Sequence, residues 1–201
     1  MIKVELALLR IKQFARKTVD HVAVEVYEIL TKYGEGYVNL ERRTPVEGPK
    51  SIIDNPERYY CLVALPGEEI IGVGAYLRRD LELLRIVVRP EYRGRGFGKL
   101  LVMLLTSLAF VIDRPYEVRM FVRKDNERML NLAKKMGYKV TGEKENSYKL
   151  TVTRPDFIKA VLNDGKSFLP NLKNINVSNT TSERDTTWRE CMYWTWYSTN
   201  S

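Results

Sequence analysis

Cysteine and histidine are nearly missing from this chain: two cysteines and one histidine in 201 residues. Cys61 and Cys191 lie far apart, form no CxxC pair and have no metal-ligand spacing. No metal site is expected from them, and a reducing compartment is the simpler setting. His21 sits in a polar patch with no partner motif, which suits a surface or capping role. Long apolar runs are also lacking. The most apolar stretch, Leu100 to Leu105 and Leu108 to Ile112, is bounded by Lys99 and Asp113 and is too short to span a bilayer. No apolar core follows a basic start at residue 1. The sequence therefore reads as cytoplasmic, with no membrane partner. No internal repeat is visible.

What the chain has in excess is positive charge, 33 Lys and Arg against 25 Asp and Glu, a formal +8. Coenzyme A, nucleic acid or an acidic protein surface would each answer such a balance, as would plain solvation of surplus Lys and Arg. The charge is not spread evenly. Residues 164–201 hold four basic and four acidic residues, so the whole surplus lies in 1–163. The length allows one α/β domain with an appendage.

Periodicity places the elements. Ile2, Val4, Leu6 and Leu8 alternate with polar or small residues, as in a strand. Apolar residues at helical spacing follow from Ile11 to Tyr33, closed by Gly34 and Gly36. Residues 37–57 read as loop. Tyr59 to Leu65 and Ile70 to Leu77 are apolar runs joined by Pro66-Gly67-Glu68-Glu69, a hairpin signal. Leu81 to Val88 is a further strand, and a helix apolar on most sides runs to about Val111. Tyr116 to Val122 reads as strand. Asp125 or Asn126 can cap the helix that Gly137 ends. Tyr138 to Val140 and Tyr148 to Val152 are short strands, and Pro155 opens a helix that should close near Gly165. Asn171 to Thr187, rich in Asn, Ser and Thr, reads as a linker. Aromatic residues then crowd together from Trp188 to Tyr197. The expected division is 1–163 as the domain and 164–201 as polar linker and aromatic tail.

Chemistry concentrates in Glu82 to Lys99. A strand runs into Arg93-Gly94-Arg95-Gly96-Phe97-Gly98-Lys99, and that turn opens a helix. Backbone N–H groups at a helix start lack internal partners and carry partial positive charge. Glycines let such a backbone approach a phosphate. A Walker loop is excluded, because Arg93 and Leu100 stand where it needs Gly and Ser or Thr. The dinucleotide fingerprint is excluded too, since Gly94, Gly96 and Gly98 have the wrong last gap.

The pattern that does match is R/Q-x-x-G-x-G/A, here Arg93 to Gly98, preceded by Val88-x-Pro90-x-Tyr92 and followed by Asn126…Lys135-Met136-Gly137-Tyr138. On these residues, and on the Val63 to Gly74 hairpin, the chain resembles the GNAT superfamily of acetyl-CoA-dependent N-acetyltransferases over about residues 1–153. The resemblance implies a mixed, mostly antiparallel α/β sheet with helices on both faces, splayed at the acetyl-CoA strand. It implies that Arg93, Gly94, Arg95, Gly96, Phe97, Gly98 and Lys99 hold the pyrophosphate. Ile86, Val87 and Val88 would run beside the pantetheine, with Asn126 nearby. It also implies that strand N–H groups steady the oxyanion when the amine attacks directly.

Glu82 stands eleven residues before Arg93. In histone-type members of that superfamily a glutamate at this spacing takes the proton from the substrate amine. An ammonium has no lone pair and must lose that proton first. A strand-end surface charge is the competing reading of Glu82. One departure stands out. Ala133 occupies the position where many members carry a tyrosine that protonates the thiolate. A thiolate leaves tolerably without a proton. Tyr138 is placed as a core aromatic and Cys61 as core rather than nucleophile. The implied activity is acetyl transfer to a primary amine of a protein or a small molecule. An inactive GNAT-like module that binds nucleic acid or a protein partner is the alternative. The aromatic tail is expected to pack on its own domain or on the twin subunit of a homodimer.

Overall fold

The computed structural model describes residues 3–9, 19–34, 48–50, 58–64, 69–168 and 192–197. Side chains are described for 21–34, 48–50, 58, 60–63 and 69–163. The order is β1 (Lys3–Leu9), α1 (Val19–Tyr33), β2 (Arg58–Ala64), β3 (Ile70–Leu77), β4 (Glu82–Val88), a 3-10 turn (Pro90–Tyr92) and α2 (Phe97–Ile112). Then follow β5 (Glu117–Arg123), α3 (Glu127–Lys135), β6 (Lys139–Glu143), β7 (Ser147–Thr153), α4 (Arg154–Phe168) and β8 (Met192–Tyr197).

The strands form one sheet in the order β6-β7-β5-β4-β3-β2-β1-β8. Every pairing is antiparallel except β4 with β5, which α2 connects as a crossover. Helices cover both faces. On one face α2 seats Leu101 and Leu105 (both fully buried) against Val118, Met120, Leu150 and Val152 of the sheet, with Phe157 of α4 beside Phe110. Each such leucine contributes roughly 1.5–3 kcal/mol by leaving water. On the other face α1 buries Val22, Val26, Ile29 and Leu30 against Tyr60, Leu62, Val73, Leu84 and Val87.

Two features fix how the helices sit. A Cβ on Gly74 would meet Leu105 Cδ1 at 2.7 Å, so a side chain there would force the buried Leu105 of α2 to shift. The α2 C-terminus is tied down as well: Tyr76 Oη donates to Asp113 Oδ2 at 2.9 Å and Arg78 Nε donates to Asp113 Oδ1 at 2.8 Å. Burial alone would push the Asp113 carboxyl up. The hydrogen bonds from Arg78 and Tyr76 and the Arg78 charge outweigh it, and the group sits below its ordinary value.

Most elements lie where the periodicity puts them. Residues 11–18 of the first helical region, the hairpin residues 65–68 and the 171–187 segment lie outside the described residues. The last helix does not close at Gly165; α4 continues to Phe168 and so crosses the 163/164 boundary. A single glycine weakens a helix by only about 1 kcal/mol and does not by itself stop one. The aromatic segment adds β8 to the sheet edge, with Trp196, Trp194 and Met192 in register with Val4, Leu6 and Leu8 of β1.

Candidate active site

Strands β4 and β5 pair for two residues only, Glu82 with Arg119 and Leu83 with Met120. Beyond that point β4 stays with β3 while β5 stays with β7. The parting has a local cause. Between the pairs Val73–Val87 and Ala75–Leu84, β4 carries one residue more than β3. Arg85 takes φ 56 in this bulge, a left-handed conformation uncommon outside glycine. A bulge bends its strand and strengthens its twist. Leu84 to Val88 therefore border a gap rather than a neighbouring strand. Val87 is buried on the α1 side, and Ile86 and Val88 pack on the α2 side, so along the gap it is chiefly backbone that β4 offers.

At the mouth of the gap lies the glycine turn. Gly94 and Gly96 have φ 82 and 89, which non-glycine residues rarely adopt. Gly96 is the N-cap of α2 and no side chain caps the helix, whose first turn contains no acid. The first bond of the helical ladder is Leu100 N–H to Gly96 O at 3.0 Å, so the amides of Phe97, Gly98 and Lys99 precede it. Phe97 itself is buried, leaving only its amide at the turn. The space in front is open: a Cβ on Gly94 would have Arg128 Nη2 as its nearest neighbour at 3.8 Å, and one on Gly98 would have Leu132 Cδ2 at 3.9 Å.

The basic side chains are arranged around this space. Arg93 Nε donates to Val88 O at 2.9 Å, tying the turn to the end of β4. Arg95 lies over the Tyr92 ring, 5.5 Å from its centroid. Burial, and then the charge of Lys135, lower the pKa of Lys99. A helix start that brings in cations and lacks both a cap and an acid is complementary to an anion. These residues fit the pyrophosphate of a coenzyme A thioester. Asn126 stands just past the splayed end of β5, where its side-chain oxygen accepts from Met129 N–H at 3.1 Å and caps α3.

Glu82 lies at the closed end of the gap. It is 5% exposed, which removes the surface-charge reading of this residue. Arg119 Nε approaches Glu82 Oε2 at 3.9 Å and Arg119 Nη2 approaches Asp80 Oδ1 at 3.3 Å. Seven strand residues put Glu82 roughly 20 Å from the Val88 end. Ala133 is fully buried in α3. Tyr138 is buried too, its hydroxyl 2.8 Å from Thr106 Oγ1, and burial pushes its pKa well above the usual value. Burial likewise pushes the Cys61 thiol up to about 12, in keeping with a core residue.

Residues 23–138 match the family model for the acetyltransferase (GNAT) family. The chain belongs to that family. Spermidine N(1)-acetyltransferase of Escherichia coli K12 is 29% identical over 99 residues, 47% of this chain and 52% of that one. Thialysine N-epsilon-acetyltransferase of Bos taurus is 33% identical over 95 residues, 39% of this chain and 55% of that one. This GNAT chain thus spans about half the length of the curated relatives it matches. The solved spermidine N-acetyltransferase of Vibrio cholerae, in complex with CoA and spermine, superposes with a TM-score of 0.53 at 14% identity, covering 76% of this chain and 98% of that one. At that identity the likeness shows the GNAT fold. Among the described residues, no helix is long and apolar enough to cross a membrane.

Four residues at the site have no site role in the sequence reading. Arg128 and Lys135 reach the turn from α3, and Asp80 and Arg119 flank Glu82. Arg128 and Lys135 are seven apart and share a helix face, a spacing that could have marked them. Nothing local in sequence links Arg119 to Glu82.

Proposed function

We propose that this chain moves an acetyl group from acetyl-CoA to a primary amine of a protein or small molecule by direct attack. One arrangement carries the reading: a gap between β4 and β5 with an uncapped, acid-free helix start at its mouth and a buried carboxylate at its root. Acetyl-CoA supplies the acetyl group already activated as a thioester. The amides of Phe97, Gly98 and Lys99, with Arg93, Gly94, Arg95 and Gly96, would hold the pyrophosphate, and Arg128 and Lys135 would add charge to it. The backbone of Ile86, Val87 and Val88 would align the pantetheine, with Asn126 across the opening.

Glu82 would accept the ammonium proton, directly or through one water, as Arg119 and Asp80 hold the carboxylate in place. Ala133 has no proton to give, and Tyr138 is engaged with Thr106 inside the core. The thiolate would therefore leave without a protein acid. Two of the matched relatives are named for different amines, spermidine and thialysine, and a third is named as an N-terminal acetyltransferase subunit. The acceptor class has to be read from this chain's own residues. The full chain incubated with isotopically labelled acetyl-CoA and a panel of polyamines, amino acids and peptides should yield a mass-shifted amine. Binding of acetyl-CoA with no product from any amine would count against the reading.

A further inference from the structure

Strand register places Glu82 in a row that crosses the sheet: Arg58 of β2 opposite Leu77 of β3, Leu77 opposite Glu82, and Glu82 beside Arg119 of β5. Arg58 lies two strands from Glu82, roughly 10 Å between Cα atoms. Both belong to the α1 side of the sheet. Arg58 Nη1 donates to the hydroxyl of Tyr60, a member of that core, and Leu77 packs against the same core.

Arg58 is 5% exposed. Its Nε has no hydrogen-bond partner, and among the described residues no carboxylate pairs with it. The described carboxylates on this side of the sheet have other partners. Glu82 and Asp80 face Arg119, while Glu25 accepts from Ile70 N–H and from Arg89. A buried guanidinium without a counter-ion is costly, and a carboxylate with hydrogen-bonding geometry is what relieves that cost. A polyamine would instead bring further ammonium groups toward Arg58 and Arg119.

We propose that the acceptor amine carries a carboxylate, which Arg58 receives while Glu82 takes the proton. The acceptor is then an amino acid or a peptide with an acidic residue beside its amine, not a polyamine. This rests on the transferase reading with Glu82 as base.

The test uses matched acceptors with the full chain and acetyl-CoA, following CoA release: an amino acid against its carboxamide, a Ser-Glu peptide against a Ser-Gln peptide, and spermidine. The carboxylate member of at least one pair should show a kcat/KM at least ~10-fold higher than its amide and than spermidine. Which pair responds separates the amino acid from the peptide as source. Arg58→Gln should erase that preference by raising KM with kcat retained, and Arg58→Lys should keep part of it. Should Arg58→Gln fail to fold, the wild-type pairs decide by themselves. Transfer without a carboxylate preference, or with spermidine preferred, overturns this inference and leaves the transferase reading standing. Transfer to no acceptor while acetyl-CoA binds overturns both.

Discussion

The glycine turn and the transverse row at Glu82 are built in opposite ways. The turn is seven consecutive residues, Arg93 to Lys99, whose conformation is set by two glycines at positive φ and the start of α2. The row is Arg58, Leu77, Glu82 and Arg119, drawn from four strands and 61 residues apart at its ends. The first needs only local chain geometry, and the second exists only once the sheet has formed. One therefore expects changes at the turn to strike acetyl-CoA binding and changes at the row to strike transfer, with the rest of the core affecting neither selectively.

The largest effect on the turn should come from Gly96→Val. A β-branched residue at φ 89 is strained by about 1–3 kcal/mol, and its side chain stands at the helix start where the anion would lie. Acetyl-CoA stabilises wild type by binding only the native state. The variant should show no acetyl-CoA-induced rise in Tm in a thermal scan. A rise equal to that of wild type would mean that the turn is not the phosphate site.

A core control comes next. Thr106→Val leaves the buried Tyr138 hydroxyl without its partner and should cost about 1–3 kcal/mol of stability. Tyr138→Phe added to it should recover part of that loss, because no orphaned hydroxyl remains. Denaturant melts measure both, and kcat of the folded fraction should stay at the wild-type value. A selective fall in kcat for Tyr138→Phe would make Tyr138 the missing acid.

The turn was legible because its signal is contiguous: Gly94, Gly96 and Gly98 with basic residues between them in a strand-to-helix setting. Glu82 was reached only through its eleven-residue spacing to Arg93. Its burial and its Arg119 partner depend on the parallel β4–β5 pairing, which no local pattern encodes. The bulge at Arg85 was invisible as well, since an arginine in a left-handed conformation has no sequence mark. Among the described residues most strands and helices lie where their periodicity places them, but residues 49–50 are helical within a stretch that reads as loop. The helix expected to close at Gly165 ran on to Phe168, because a glycine signal is a weak stop when the flanking residues continue the helix.

The smallest effect lies at the end of α2, where Asp113 is held by Tyr76 and Arg78, the neighbours of Leu77 in the row. The Asp113 carboxyl is held below its ordinary value of 3.8 in the folded state. A depressed carboxyl contributes stability that is complete above its unfolded value and is lost as pH falls through the folded one. Asp113→Asn should therefore flatten the decline of Tm below about pH 4 while changing acetyl-CoA binding little. An acid limb identical to that of wild type would show that the Arg78–Asp113–Tyr76 tie adds no pH-dependent stability.

The division between the two regions is tested most directly by Glu82→Gln, assayed for acetyl-CoA affinity and for kcat across pH on one preparation. The substitution keeps the shape of the side chain and removes the base. The acceptor amine, with a pKa of about 8 for a peptide α-amino group and higher for an alkyl amine, is mostly protonated at neutral pH. The account predicts a kcat lower by about 10²–10⁴-fold at neutral pH. That loss should shrink as pH rises and free amine accumulates, with acetyl-CoA affinity unchanged. Full kcat at neutral pH, or a loss of acetyl-CoA binding in step with activity, would contradict it.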